Sequence, residues 1–293
     1  MNNFIKYFEY LIFRLFQAII TFIPFKILYF ISNIFAFLLA DILKYRHKVV
    51  LKNLRNAFPQ KNNEEITRIS KLFYKNLCDN ALESIKGYSL SYNQLKDRYK
   101  CLNPEISNKY FEQGRDVIFA MSHYTNWEWG TQVADRVFMH NVATFYKPLS
   151  NKYMDDYINR LRSRQKMWLL SIYKLNTLNH REKHKPVAYF MLGDQNPSNS
   201  KKAYWINFLN QDTACMRGIE TYAKLYNLPV IYLDIQRVKR GFYTVVLKEL
   251  FSNPLVTSKG EITCSYMKKL EEIILTKPED WLWSHKRWKA FRN

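Results

Sequence analysis

Asp116-Val117-Ile118-Phe119-Ala120-Met121-Ser122-His123-Tyr124-Thr125-Asn126-Trp127-Glu128-Trp129-Gly130 decides the fold, because two periodicities meet in it. Residues 116–121 are a short, β-rich apolar run, whereas Trp127 to Phe138 carries apolar residues at helical spacings. His123 therefore falls on a strand-to-helix turn, where α/β folds present reactive groups. Within one continuous α-helix, residues five apart point about 140° away from each other, so His123 and Glu128 meet only if the histidine precedes the helix. Thr125 or Asn126 then serves as N-cap, with Glu128 in the first turn. In that geometry a carboxylate accepts a hydrogen bond from one imidazole nitrogen and leaves the other as a proton acceptor. Taking a proton from a hydroxyl needs a base with such an orienting partner. A turn histidine beside a glutamate that merely caps its helix fits the same spacing, since two-residue patterns are common.

Outward from this stretch, strands are expected at 116–121, 142–146, 186–192, 229–236 and 242–249. Helices are expected at 64–90, 126–138, 151–165, 213–226 and 260–275. This alternation predicts an α/β domain. Strand 142–146 ends in Tyr146-Lys147-Pro148 and leads to Asn151, then to the basic helix end Arg160-Leu161-Arg162-Ser163-Arg164, which suits a phosphate or a carboxylate. Strand 186–192 runs into Gly193-Asp194-Gln195-Asn196-Pro197, a polar turn at a carboxyl edge. His180 and His184 share i,i+4 spacing in a charged loop and read as solvated.

Residues 4–43 are almost wholly apolar and aromatic. Their longest uncharged runs, Leu15 to Phe25 and Ile27 to Ala40, each fall short of the ~20 residues of a spanning helix. Pro24 bends the segment, so an anchor dipping into a membrane is expected, with one tilted span as the alternative. Lys44-Tyr45-Arg46-His47-Lys48, Lys52 and Arg55 follow, a cluster that attracts anionic headgroups and stays on the cytoplasmic side. The closing Trp281-Leu282-Trp283-Ser284-His285-Lys286-Arg287-Trp288-Lys289 interleaves rings and cations and fits either a lipid interface or the core.

Composition bounds the function. A formal charge of +20, from 45 basic and 25 acidic residues, implies a negative partner such as anionic lipid, an acidic protein or nucleic acid. No nucleic-acid module is recognisable, and the apolar N-terminus speaks against that partner. Cys78, Cys101, Cys215 and Cys264 lack any metal-type spacing and read as reduced and mostly buried, with no metal site expected. With seven glycines and no GxG or Walker loop, a phosphate cradle of those types is not expected, and neither GxSxG nor HExxH occurs.

Taken in order, these pieces resemble the lipid A biosynthesis acyltransferases of the lysophospholipid acyltransferase superfamily. The resemblance rests on the apolar start, Tyr45-Arg46, Asn53-Leu54, Phe58-Pro59, His123-x4-Glu128, Tyr146-Lys147-Pro148 with Asn151, Arg162, Gly193-Asp194-Gln195-Asn196, and Trp283-x-His285-Lys286-Arg287-Trp288-Lys289. It implies N-terminal membrane-anchoring helices over 1–43 and an acyltransferase domain over 44–293, with a mixed central sheet flanked by helices. It further implies transfer of a fatty acyl chain from a thioester, on acyl carrier protein or coenzyme A, to a hydroxyl of an anionic lipid A precursor at the cytoplasmic face of the inner membrane, with no cofactor. In that picture His123 deprotonates the acceptor and Glu128 orients and charges the imidazole, while Arg162 and Asp194 support the site. Asn126, Tyr146, Lys147, Asn151, Arg164 and Gln195 are the substrate-binding candidates. The same chemistry on a phospholipid, glycolipid or aminolipid, and a non-catalytic protein holding anionic membrane, are the alternatives.

Overall fold

The strand before His123, Val117–Met121, is buried along its whole length. Its odd residues Val117, Phe119 and Met121 pack into one apolar cluster and Ile118 and Ala120 into another, so both faces of the sheet are covered. A continuous apolar run without polar alternation is what such a strand requires. The computed structural model describes residues 3–163, 167–172 and 185–290; Arg164, His180 and His184 lie outside them.

The described elements are α1 (Asn3–Phe22), α2 (Phe25–Phe37), α3 (His47–Ala57), α4 (Asn63–Gly87), α5 (Tyr92–Arg98), β1 (Tyr99–Cys101), α6 (Glu105–Glu112), β2 (Val117–Met121), α7 (Trp127–Val137), β3 (Asn141–Tyr146), α8 (Lys152–Ser163), β4 (Trp168–Ser171), β5 (Val187–Leu192), β6 (Tyr204–Phe208), β7 (Gln211–Cys215), α9 (Gly218–Tyr226), β8 (Val230–Lys239), β9 (Phe242–Phe251) and α10 (Glu261–Thr276). Among the described residues the main sheet has seven strands in the order β1-β9-β8-β2-β5-β3-β4. Pairing is parallel except between β8 and β9, so the chain is a mixed α/β fold with a mostly parallel central sheet flanked by helices.

Each of the five strands expected from sequence is present. Helix 213–226 is shorter than expected, because Gln211–Cys215 pairs antiparallel with Tyr204–Phe208 and the helix starts only at Gly218. That hairpin turns through Leu209 and Asn210, at φ 51° and 61°. Two positive angles are the backbone of a tight hairpin turn, but leucine gives no sequence signal for one. Edge strands β1 and β4 were equally silent, being three and four residues long.

At the N-terminus, α1 and α2 meet at Pro24, and α2 runs on into a π-helical turn, Leu38–Ile42. Phe25–Ile42 is long and apolar enough to cross a membrane, by length and composition. Phe4, Phe8, Leu15, Phe22, Phe30 and Leu43 are all more than half exposed. The two helices are nevertheless fastened to the rest of the chain. The buried Lys86 ammonium donates to the Ile20 and Thr21 carbonyls at the end of α1, and Ser32 of α2 donates to the buried Asp79.

The aromatic tail belongs to the core: Trp281 and Trp283 are buried, which rules out the interfacial reading for them. Arg46 donates to the Ser284 carbonyl, and Asn53 donates to those of Trp283 and His285. Buried Arg287 donates to the Ala214 carbonyl. These contacts hold the tail as a strap against α3 and β7. Of the cysteines, Cys78 and Cys215 are buried, Cys101 is half-buried and Cys264 is exposed.

Candidate active site

Because β2, β5 and β3 are neighbours and parallel, the turns that follow them meet at one edge of the sheet. They bring together His123, the Gly193-Asp194-Gln195 turn and Tyr146-Lys147. Gly193 leaves β5 where a Cβ would lie 2.9 Å from Ile219 Cδ1 and 3.0 Å from Tyr266 Cε1, so only glycine allows this close passage.

Nδ1 of His123 donates to Oδ1 of Asp194 at 2.7 Å, and the His123 backbone N–H donates to Oδ2 at 2.9 Å. Trp281 Nε1 donates to the same Oδ2 at 3.0 Å. The Gln195 amide donates to His123 Nε2 at 3.1 Å. This set defines a tautomer with the proton on Nδ1 and the lone pair on Nε2. Burial pulls the imidazole pKa down, but Asp194, and behind it Glu128, outweigh burial and hold it raised. Burial would likewise push the Asp194 carboxyl up, yet His123 and Trp281 keep it below the ordinary carboxylate range.

Glu128 does not orient the ring. It lies in the first turn of α7, as expected, but its carboxylate pairs with Arg162 of α8 at 2.8 and 3.1 Å. The physical reason is the turn itself. Thr125 sits at φ 51°, an unfavourable conformation for a β-branched residue that costs roughly 1–3 kcal/mol. It is held there by Asn80 donating to its carbonyl and by its own N–H donating to Asp280 O. The kink aims His123 at β5, and Glu128 acts on it only through space. Arg162 in turn lies against Tyr88, whose hydroxyl is pushed up to about 12 by burial and then by Glu128, with Arg162 opposing.

A cavity of about 300 Å³ opens over this arrangement, with His123, Trp127, Glu128, Tyr146, Lys147 and Arg162 in its wall. Two of the substrate-binding candidates are elsewhere. Asn126 caps α7 by accepting from Trp129 N–H and donates to buried Glu83, so its amide is used up inside the fold. Asn151 caps α8 and donates to Lys6 O and Glu9 of α1. Both are capping asparagines, a role that sequence spacing does not separate from ligand binding. Tyr88 and Trp281 were missed: one ends a helix and the other stands in a tail, and neither position carries a signal of its own.

The model of the bacterial lipid A biosynthesis acyltransferase family matches residues 3–290. The chain belongs to that family. Among similar proteins are the lipid A biosynthesis palmitoleoyltransferase of Escherichia coli (strain K12) and the lipid A biosynthesis acyltransferase of Shigella flexneri. Each is 20% identical over 270 residues, covering 92% of this chain and 87% of the relative. At that distance the match makes this lipid A acyltransferase family member an enzyme of acyl transfer, and its side-chain roles have to be argued from geometry.

Proposed function

We propose that this acyltransferase moves a fatty acyl chain from an acyl thioester, carried by acyl carrier protein, to a hydroxyl of a lipid A precursor at the cytoplasmic face of the inner membrane. His123 Nε2 takes the hydroxyl proton as the alkoxide attacks the thioester carbonyl. The C–S bond then breaks, and the leaving thiolate receives the proton from the imidazolium. Asp194 keeps the ring in the required tautomer and stabilises its charged form. Gln195, now on Nε2, stands where the acceptor hydroxyl enters. Glu128 fixes Arg162 in the cavity wall, and together with Lys147 this gives a polar side suited to an anionic sugar headgroup.

The observation that carries the reading is the His123–Asp194 pair at the foot of a cavity with cations in its wall. The exposed apolar surface of α1 and α2 supports residues 1–43 as the membrane-holding part and 44–293 as the catalytic part. The net charge of +20 suits an anionic acceptor and an acidic carrier alike. The test is transfer of a labelled acyl group from acyl carrier protein to a purified lipid A precursor, with a phospholipid as competing acceptor. Transfer to the precursor that falls at least ~10²-fold in His123→Ala supports the proposal. Transfer to the phospholipid alone overturns the acceptor.

A further inference from the structure

Helix α2 carries two stripes of different chemistry. Ile27, Phe30, Ile34 and Phe37 recur at i, i+3, i+7 and i+10 and are all exposed, the apolar face that a membrane accepts. Tyr29, Ser32 and Asn33 recur at i, i+3 and i+4 and make a polar stripe on the same short helix. Holding a membrane calls for the first stripe alone. Polar side chains are retained in an apolar helix where protein groups receive them.

The receivers are two acids one turn apart on α4, Asp79 and Glu83, both fully buried. Tyr29 donates to Glu83 Oε1 at 2.9 Å, and Ser32 donates to Asp79 Oδ1 at 2.5 Å. Arg240, from the turn between β8 and β9, donates to Asn33 and to both oxygens of Asp79. On their other side the same acids hold the catalytic turn. Asn126 donates to Glu83 Oε2 at 2.8 Å while it caps α7. Arg237 pairs with Asp79 at 3.2 Å and donates to Asn80 Oδ1 at 2.6 Å, and Asn80 donates to the carbonyl of left-handed Thr125 at 2.9 Å. Two hydrogen-bonded lines thus run from one turn of α2 to residues 125 and 126, just after His123. Among the described residues Tyr29 is the one donor to Glu83 Oε1. Without it a buried carboxylate oxygen loses its partner, and the carboxylate can recover one only by turning, which disturbs the Asn126 amide on Oε2.

We infer that Tyr29 and Ser32 of α2 are positioning residues for the reaction: acting through Glu83 and Asp79, they hold the Thr125 turn and with it the approach of His123 to Asp194. The inference rests on the reading of His123 as the base given above. It gives α2 a part in catalysis besides its apolar outer face, because the ring is correctly placed only while α2 is seated on α4.

The test is the pH dependence of His123 carbethoxylation by diethyl pyrocarbonate, read by mass spectrometry of its peptide, on the full chain in detergent. The reagent takes the neutral ring, so the midpoint reports the imidazole. Asp194 and Glu128 are the charges that raise it, His285 is a further titrating neighbour, and none of the three stands on α2 or α4. A shift in an α2 variant therefore reports the geometry of the His123–Asp194 pair. Tyr29→Phe and Ser32→Ala each delete one oxygen and keep the packing of α2. In each the midpoint is expected to fall by at least ~0.5 unit as the Asp194 contact loosens. In each kcat is expected to fall at least ~10-fold with KM within ~2-fold. Phe30→Ala and Ile34→Ala, on the outer stripe, are expected to leave the midpoint in place. An unmoved midpoint in either Tyr29→Phe or Ser32→Ala overturns the inference, as does an equal shift in Phe30→Ala. The expected shifts in a chain that transfers no acyl group to any acceptor would defeat the proposed function while leaving the hold of α2 on His123 standing.

Discussion

Asp194 holds the His123 imidazole through Oδ1 at 2.7 Å and the His123 backbone N–H through Oδ2 at 2.9 Å. One carboxylate thus fixes both the ring and the turn that carries it. Trp281 donates to Oδ2 as well, so the C-terminal strap is part of the same unit. When the ring is neutral, its proton sits on Nδ1 against Asp194 and its Nε2 lone pair meets the Gln195 amide, and the buried carboxylate favours any positive charge that forms on the ring.

Asp194→Asn is therefore expected to lower kcat by about 10²–10⁴-fold, since an amide can hold the ring in the wrong tautomer. The proposed base step needs neutral His123, so activity is expected to rise with pH through the imidazole pKa, which lies above its ordinary value. Replacing Asp194 removes the largest raising influence and leaves burial, so the acid limb of kcat/KM moves to lower pH. A limb that stays in place would contradict the assignment.

Glu128→Gln is expected to move that limb in the same direction but by less, because Glu128 acts on His123 through space while Asp194 touches it. Its larger effect falls on Arg162. Glu128→Ala and Arg162→Ala should each weaken binding of an anionic acceptor, and the double variant should lose less than the sum, with a coupling of about 1 kcal/mol for this partly exposed pair. Additive losses in KM would show that the pair does not act as a unit.

Gln195→Glu places a carboxylate against Nε2. An anion there favours the imidazolium, so the acid limb is expected to move up by about one unit or more, with activity lost at neutral pH and recovered in alkali. The variant separates a Gln195 that faces the reacting nitrogen from one that only fills space, which would leave the profile unmoved.

Asn126→Ala removes the cap of α7 and strips buried Glu83 of a donor, leaving Tyr29 and Tyr243 on that carboxylate. A loss of about 1–3 kcal/mol is expected, seen as roughly 2–4 °C in melting temperature per kcal/mol. Because the cap lies next to the Thr125 kink, activity should fall along with stability. Unchanged stability would contradict the capping role.

Sequence reading reached the turn at His123, the five longer strands and the carboxyl-edge position of residues 193–196, because apolar periodicity and turn chemistry are local. It named Asp194 as a supporting residue but gave the orienting role to Glu128. Which carboxylate meets His123 depends on β5 lying beside β2 and on a left-handed Thr125, and neither leaves a local trace. Asn126 is legible as an N-cap, and sequence alone does not separate that role from ligand binding. Asn151 fastens α1, whose Lys6 lies 145 residues away in sequence, and no local pattern shows such a pairing. The tail aromatics carry no local address, because their place is set by Asn53 and Arg46, more than 200 residues away in sequence.

The central claim is that this chain acylates lipid A with His123, held by Asp194, as the base, and mass spectrometry of total lipid A from cells with and without the gene tests it most directly. The account predicts one acyl chain fewer without the gene, restored by the wild-type chain and by neither His123→Ala nor Asp194→Asn expressed at the same level. Unchanged lipid A on deletion, or full restoration by His123→Ala, would contradict it.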